Sequence, residues 1–102
     1  MAQLMVIYST PADAAAFDKH YADVHTPLAK KIPGLRRFET SAGAIGTPSG
    51  PSAYHLIAIL HFDDVAAIQA AFATPEGQAA AGDLRNFASA GVELLIFETK
   101  PA

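Results

Sequence analysis

His25 and Tyr21 stand four residues apart, and they are the pair in this chain whose types and spacing suit proton chemistry. Phe17, Tyr21, Val24 and Leu28 recur at the spacing of one helix face and predict an apolar stripe turned towards a core. His25 sits at the edge of that stripe, with Tyr21 on nearly the same face and their Cβ atoms about 5–6 Å apart. A neutral imidazole near pH 7 can take a proton from an activated carbon or return one to an enolate, with the tyrosine as helper. The plainer role for His25 is to bond a backbone group where Pro27 disrupts the helix. The residue alone leaves both roles open.

The other chemistry-bearing residues are more scattered. His20 lies about 140° around the helix from His25 by the 3.6-residue period, so it is expected to face solvent and not share a ligand with it. His55 and His61 have the same parity on one expected strand, but six residues of strand separate them by about 20 Å. His61, beside Asp63 at the strand end, is a candidate for a pocket mouth or else a structural residue. Tyr8 and Phe62 sit at strand ends, where aromatics serve as core, as interface or as a platform for a flat ligand. Asp83 and Asn86 are one turn apart beside Phe87, and they either tie down a helix or orient His25. The candidate substrate-binding set is therefore Tyr8, Phe62, His61, Asp83 and Phe87. Cysteine is absent, which removes disulfides, thiolate metal sites and a cysteine nucleophile. No HxH or HExxH spacing predicts a metal site, and Gly43-Ala44-Ile45-Gly46 is not a GxGxxG fingerprint. No NAD, flavin or ATP site is expected.

The elements that must position these residues follow from periodicity and punctuation. Gln3 to Ser9 predicts a strand, and Thr10-Pro11-Ala12-Asp13 a helix start with Thr10 as cap and Pro11 at the first helical position. Ile32-Pro33-Gly34 ends that helical region. Leu35 to Ala44 predicts a second strand, residues 46–52 a loop, and Ala53 to Phe62 a third strand. Asp63-Asp64 caps a helix carrying Val65, Ile68 and Phe72. Thr74-Pro75-Glu76 starts another, running to Ala88 or Ser89, and Gly91 precedes a last strand from Val92 to Thr99. The order βαββαβ predicts an α+β, ferredoxin-like domain over residues 1–102: a four-stranded antiparallel sheet with helices on one face. In Leu56 to Leu60 both parities are apolar, so both sheet faces should be covered. The helices suffice for one face only, and a second copy of the chain would cover the other.

Composition narrows the setting. The 102 residues are 51% hydrophobic and 17% charged, with a net charge of −3 and only seven Lys and Arg. That is one domain without the basic footprint that nucleic-acid binding needs. Apolar runs of about five residues fall far short of the ~20 of a membrane span. Met1-Ala2-Gln3-Leu4 does not begin like a signal peptide, so a cytoplasmic location is expected.

The ordered set Phe17-x3-Tyr21-x3-His25-x-Pro27-Leu28, Ile32-Pro33-Gly34-Leu35, Phe62-Asp63-Asp64 and Thr74-Pro75-Glu76-Gly77-x5-Asp83-x2-Asn86-Phe87-Ala88 resembles the EthD family, named for ethyl tert-butyl ether degradation. The likeness runs from Val6 to about Ile96. It implies a dimeric α+β barrel, and it implies function loosely. Such barrels include isomerases, cofactor-free monooxygenases, polyketide cyclases and haem-handling enzymes, and the family name carries an association with xenobiotic degradation and oxidoreductases. Two readings follow. One is a cofactor-independent enzyme or accessory catabolic protein that holds a small hydrophobic or aromatic molecule, with His25 as acid/base and Tyr21 or Tyr8 assisting. The other is a non-catalytic dimeric binding module or partner of an oxygenase system. Haem binding is a third reading.

Overall fold

A computed structural model describes residues 1–102. Strand β1 (Ala2–Ser9) leads into helix α1 (Ala14–His20), whose cap is Asp13: its carboxylate accepts from the Ala16 N–H. Thr10, expected as the cap, instead donates its hydroxyl to the Ala53 carbonyl at 2.9 Å and ties the loop to the neighbouring strand. From α1 the chain continues without a break into a π-helical turn (Tyr21–His25) and then α2 (Thr26–Ala29). The π-turn is closed by the Thr26 N–H donating to the Tyr21 carbonyl, five residues back. Pro27 supplies a physical cause. It has no N–H for the Asp23 carbonyl, and its ring would crowd that carbonyl in an ordinary α-turn.

Strand β2 (Arg37–Thr40) is shorter than the expected span from Leu35 to Ala44. Within the expected loop, β3 (Gly46–Thr47) and β4 (Gly50–Pro51) pair as a small hairpin, and Gly50 takes a φ of 133° that favours glycine. β5 (Tyr54–Phe62) is followed by α3 (Val65–Phe72), capped by Asp64, whose carboxylate accepts from the Ala67 N–H at 2.7 Å. The next helix, α4 (Pro75–Phe87), is capped by Thr74, with Pro75 at its start as the sequence predicts. Gly77 lets the two helices meet closely, because a Cβ there would run into the Ala71 carbonyl and the Phe72 backbone. β6 (Val92–Glu98) completes the chain.

The main sheet has the order β2-β5-β1-β6, every neighbour antiparallel, which is the ferredoxin-like arrangement expected from βαββαβ. On the face towards the helices, Leu4, Val6 and Tyr8 of β1 lie beside Ala58, Leu60 and Phe62 of β5, all buried. Phe17, Tyr21, Ala29, Ile32 and Ile68 pack onto them from the helices. Each fully buried large apolar side chain contributes roughly 1.5–3 kcal/mol, so this layer dominates the fold's stability.

The opposite face carries Met5 and Ile7, Ile57 and Ile59, and Leu95 and Phe97, and no helix covers it. Edge strand β6 is apolar on both faces, with Leu94, Leu95, Ile96 and Phe97 36–50% exposed. No helix is long and apolar enough to cross a membrane.

Candidate functional site

The π-turn decides which side chains of the first helical rod point inwards. Phe17, Tyr21, His25 and Ala29 are all buried, at a regular spacing of four residues that an unbroken α-helix would wind progressively off the face. Widening one turn cancels that drift. It also turns Val24, assigned to the stripe by the 3.6-residue period, out to solvent at 42% exposure. His25 takes the inward place that Val24 was expected to hold.

The same turn overturns the expectation for His20. Five residues before His25, it would point elsewhere on an α-helix, but across the π-turn both imidazoles reach one carboxylate, that of Asp83 on α4. His25 Nδ1 lies 3.0 Å from Asp83 Oδ2, and His20 Nε2 lies 2.9 Å from Asp83 Oδ1. The Asn86 side-chain amide donates to Asp83 Oδ1 at 2.9 Å. Asp83 is thus a buried carboxylate receiving three donors. His20, its side chain 27% exposed, and the exposed Asn86 are the members of the cluster that reach water.

The electrostatics follow from burial and pairing. Burial pushes the Asp83 carboxyl up, but the bonds from Asn86, His20 and His25 and the charge of His20 outweigh it and hold the group below the usual carboxylate range. Burial lowers His25 below the ordinary imidazole value, only partly offset by its bond to Asp83 and the carboxylate charge. At neutral pH Asp83 is therefore ionised and His25 neutral. An ionised carboxylate only accepts, so the His25 proton sits on Nδ1 and Nε2 is left as a bare acceptor. Burial also pushes both Tyr8 and Tyr21 well up, so each remains a hydroxyl donor across the neutral range. Tyr21 Oη is buried; the Tyr8 hydroxyl is the one side-chain group that acts on it, and no group within the chain accepts its proton.

His25, Tyr21 and Tyr8 border a cavity of about 290 Å³ between the sheet and the helices. Its walls are otherwise almost wholly apolar, including Leu60, Phe72 and Leu84. Ala29, Ala58, Ala80 and Ala81 lie at positions where larger side chains would fill the space. Leu94 and Ile96 of β6 also border it and are about half exposed, and Gln69 of α3 and Ala81 of α4 are exposed too, so its mouth lies between that edge strand and the two helices.

The remaining sequence candidates fall elsewhere. Asp83 stands behind His25 and does not touch the cavity. Phe87 packs its ring 4.8 Å from His25, 5.1 Å from His20 and 5.6 Å from Tyr8, so it braces the cluster from behind. Phe62 is completely buried and does not border this cavity. His61 lies on the other face of the sheet, its Nε2 2.9 Å from Glu39, and so is not at the cavity mouth. The shared parity of His55 and His61 is broken by an irregularity in the β1–β5 pairing: Tyr8 pairs with Leu56 and Ser9 with Tyr54, skipping His55. His55 then turns to α1, 2.7 Å from Asp18 and against the Phe17 ring. No group of three or more His, Cys, Asp or Glu side chains is arranged to hold a metal ion. His20 and the wall alanines were missed by sequence reasoning. The available signals were a proline two residues past a histidine in mid-helix, and the small-residue run from Ala79 to Gly82.

Residues 9–91 match the family model described as the EthD domain. The chain belongs to the EthD family. An uncharacterized 11.0 kDa protein from the thcB–thcC intergenic region of Rhodococcus erythropolis is 48% identical over 97 residues, covering 93% of this chain and 91% of that one. An EthD family protein of Bacillus halodurans superposes with a TM-score of 0.91 at 38% identity, covering 98% of this chain and 99% of that chain. SnoaB, a cofactor-independent oxygenase from Streptomyces nogalater, shares the fold at a TM-score of 0.67 and 19% identity, covering 99% and 94% of the two chains.

Because the Asp83 charge raises His25 against the effect of burial, Asp83→Asn should move the His25 titration midpoint to lower pH. Side-chain NMR of the two folded proteins measures this. A midpoint that rises or stays fixed would contradict the coupling.

Proposed function

We propose that this EthD-family protein binds a small, largely apolar molecule in the cavity and moves a proton on it without a cofactor. The observation that carries this reading is His25, held through Nδ1 by a buried, ionised carboxylate while its ring borders an apolar cavity. In this reading Nε2 takes a proton from an activated C–H: the C–H bond breaks, an N–H bond forms, and the electron pair passes to an adjoining carbonyl oxygen. The positive charge formed on His25 faces Asp83, which stabilises it, and the buried Tyr21 hydroxyl is a donor for the developing oxyanion. Burial keeps His25 neutral at the start, the form a base requires. His25 and Tyr21 are the catalytic residues, Tyr8 completes the polar corner, and Asp83 and His20 act through His25 as positioning residues.

The working unit in this reading is a homodimer formed through the bare sheet face. The exposed Leu95 and Phe97 support it, as does Gln3 on the same face, whose buried Oε1 has no partner within the chain. A buried amide oxygen without a donor is costly, and a second copy can supply one. Sedimentation velocity should give a dimer for the parent and a monomer for Leu95→Glu. A monomeric parent, or a variant of unchanged mass, would contradict it.

The chemical step is tested with deuterium exchange at the activated carbon of phenylacetone in heavy water. The parent should accelerate exchange over buffer, and His25→Gln, folded by circular dichroism, should lose about a hundredfold or more of that acceleration, as removal of a general base does. Exchange at the parent rate in the variant would remove His25 from the chemistry. A parent that binds the ketone without exchanging it would leave the alternative, a non-catalytic binding module.

A further inference from the structure

We propose that the cavity selects an uncharged molecule of one to two rings that carries a hydroxyl, phenolic or enolic, donated to His25 Nε2. This names a ligand class for the binding half of the reading above, rests on that half, and does not depend on the C–H step.

Charge sets the first limit. None of the side chains bordering the cavity is Lys, Arg, Asp or Glu, and the polar exceptions to its apolar walls are His25, Gln69 and the tyrosine hydroxyls. An anionic ligand would lose its water and find no countercharge, while the Asp83 carboxylate, 3.0 Å from His25 Nδ1, repels it from behind. A cation would meet the same apolar walls. Carboxylic acids, phosphate esters and ammonium compounds are therefore excluded from the inner end.

Hydrogen-bond accounting sets the second. At the inner end the protein offers an acceptor, His25 Nε2, and a buried hydroxyl, Tyr21 Oη, which faces the Tyr8 hydroxyl and whose own proton no group within the chain accepts, on rings 5.3 Å apart. A ligand hydroxyl can satisfy both, donating its O–H to Nε2 while its oxygen accepts from Tyr21. An ether only accepts, and leaves Nε2 unpaired in an apolar site. The imidazole cannot swap its donor and acceptor nitrogens to suit an accepting ligand, because Asp83 holds the proton on Nδ1.

Size sets the third. A volume of about 290 Å³ lies at the small end of known ligand sites. The half-exposed Leu94 and Ile96 mark the outer end and the buried His25 the inner one. The ligand therefore enters hydroxyl first, with its apolar body towards β6.

The test compares four molecules of one shape on the intact protein: para-propylphenol, its methyl ether, propylbenzene and para-propylbenzoate. Calorimetry gives affinities, and NMR of the His25 ring reports the contact. The phenol should bind about tenfold tighter than the ether or the hydrocarbon, the scale of one hydrogen bond made in a dry site, and the benzoate should bind weakest of the four. Only the phenol should shift the His25 Nε2 resonance strongly. His25→Leu should abolish the phenol's advantage. Should that variant fail to fold, Tyr21→Phe should narrow the phenol's lead over propylbenzene severalfold. Equal binding of phenol and hydrocarbon, or preference for the benzoate, overturns the ligand class and leaves the cavity as an apolar site. Failure of all four to bind overturns the cavity's role as a ligand site, and this proposal with it.

Discussion

The site depends on keeping an ionised carboxylate at Asp83 buried inside the protein. A buried charge is tolerated only when its desolvation is offset by close donors, and Asp83 has three: two imidazole N–H groups and one amide. Two of those donors come from the first helical rod and one from α4, so satisfying the carboxylate fixes the position of one helix against the other. The π-turn makes this possible. Without it, His20 and His25 diverge around the helix, and Asp83 keeps at most one of them.

That constraint carries outwards to the cavity. With Nδ1 committed to Asp83, the His25 ring cannot rotate freely, and Phe87 packs against both imidazoles to hold their planes. The alanines of α2, β5 and α4 leave the space in front of the ring empty, while the larger chains of β1 and β5 seal its floor. A rigid polar corner at the end of an apolar void is the arrangement in which one imidazole has a strong effect, since little water competes with it.

The fold was legible in the sequence because each of its signals is local. The caps at Asp64 and Thr74, the breaks at Gly34 and Gly91, and the apolar runs of β1, β5 and β6 each report their own element. The both-parity apolar pattern also anticipated a sheet face that the chain's own helices leave bare. The site was half legible. His25 and Tyr21 stood out by type and spacing, and Asp83 was a candidate to orient His25. His20 was lost because a fixed period of 3.6 residues was carried through Tyr21–His25, the turn before Pro27 where the helix widens. The same step placed Val24 in the core instead of His25. His55 and His61 were paired by strand parity, which the skipped residue at the start of β5 reverses. Both errors come from one extra residue inserted into a regular element, and a strict period cannot register it.

The central claim is that Asp83 holds the ring protons of both histidines on the nitrogens facing it, leaving His25 Nε2 bare towards the cavity. Long-range proton–nitrogen NMR correlation of the histidine rings at neutral pH tests it directly. The account predicts a neutral His25 protonated at Nδ1 and a proton on Nε2 of His20, opposite nitrogens of two rings five residues apart. A His25 protonated at Nε2, or charged at neutral pH, would contradict it.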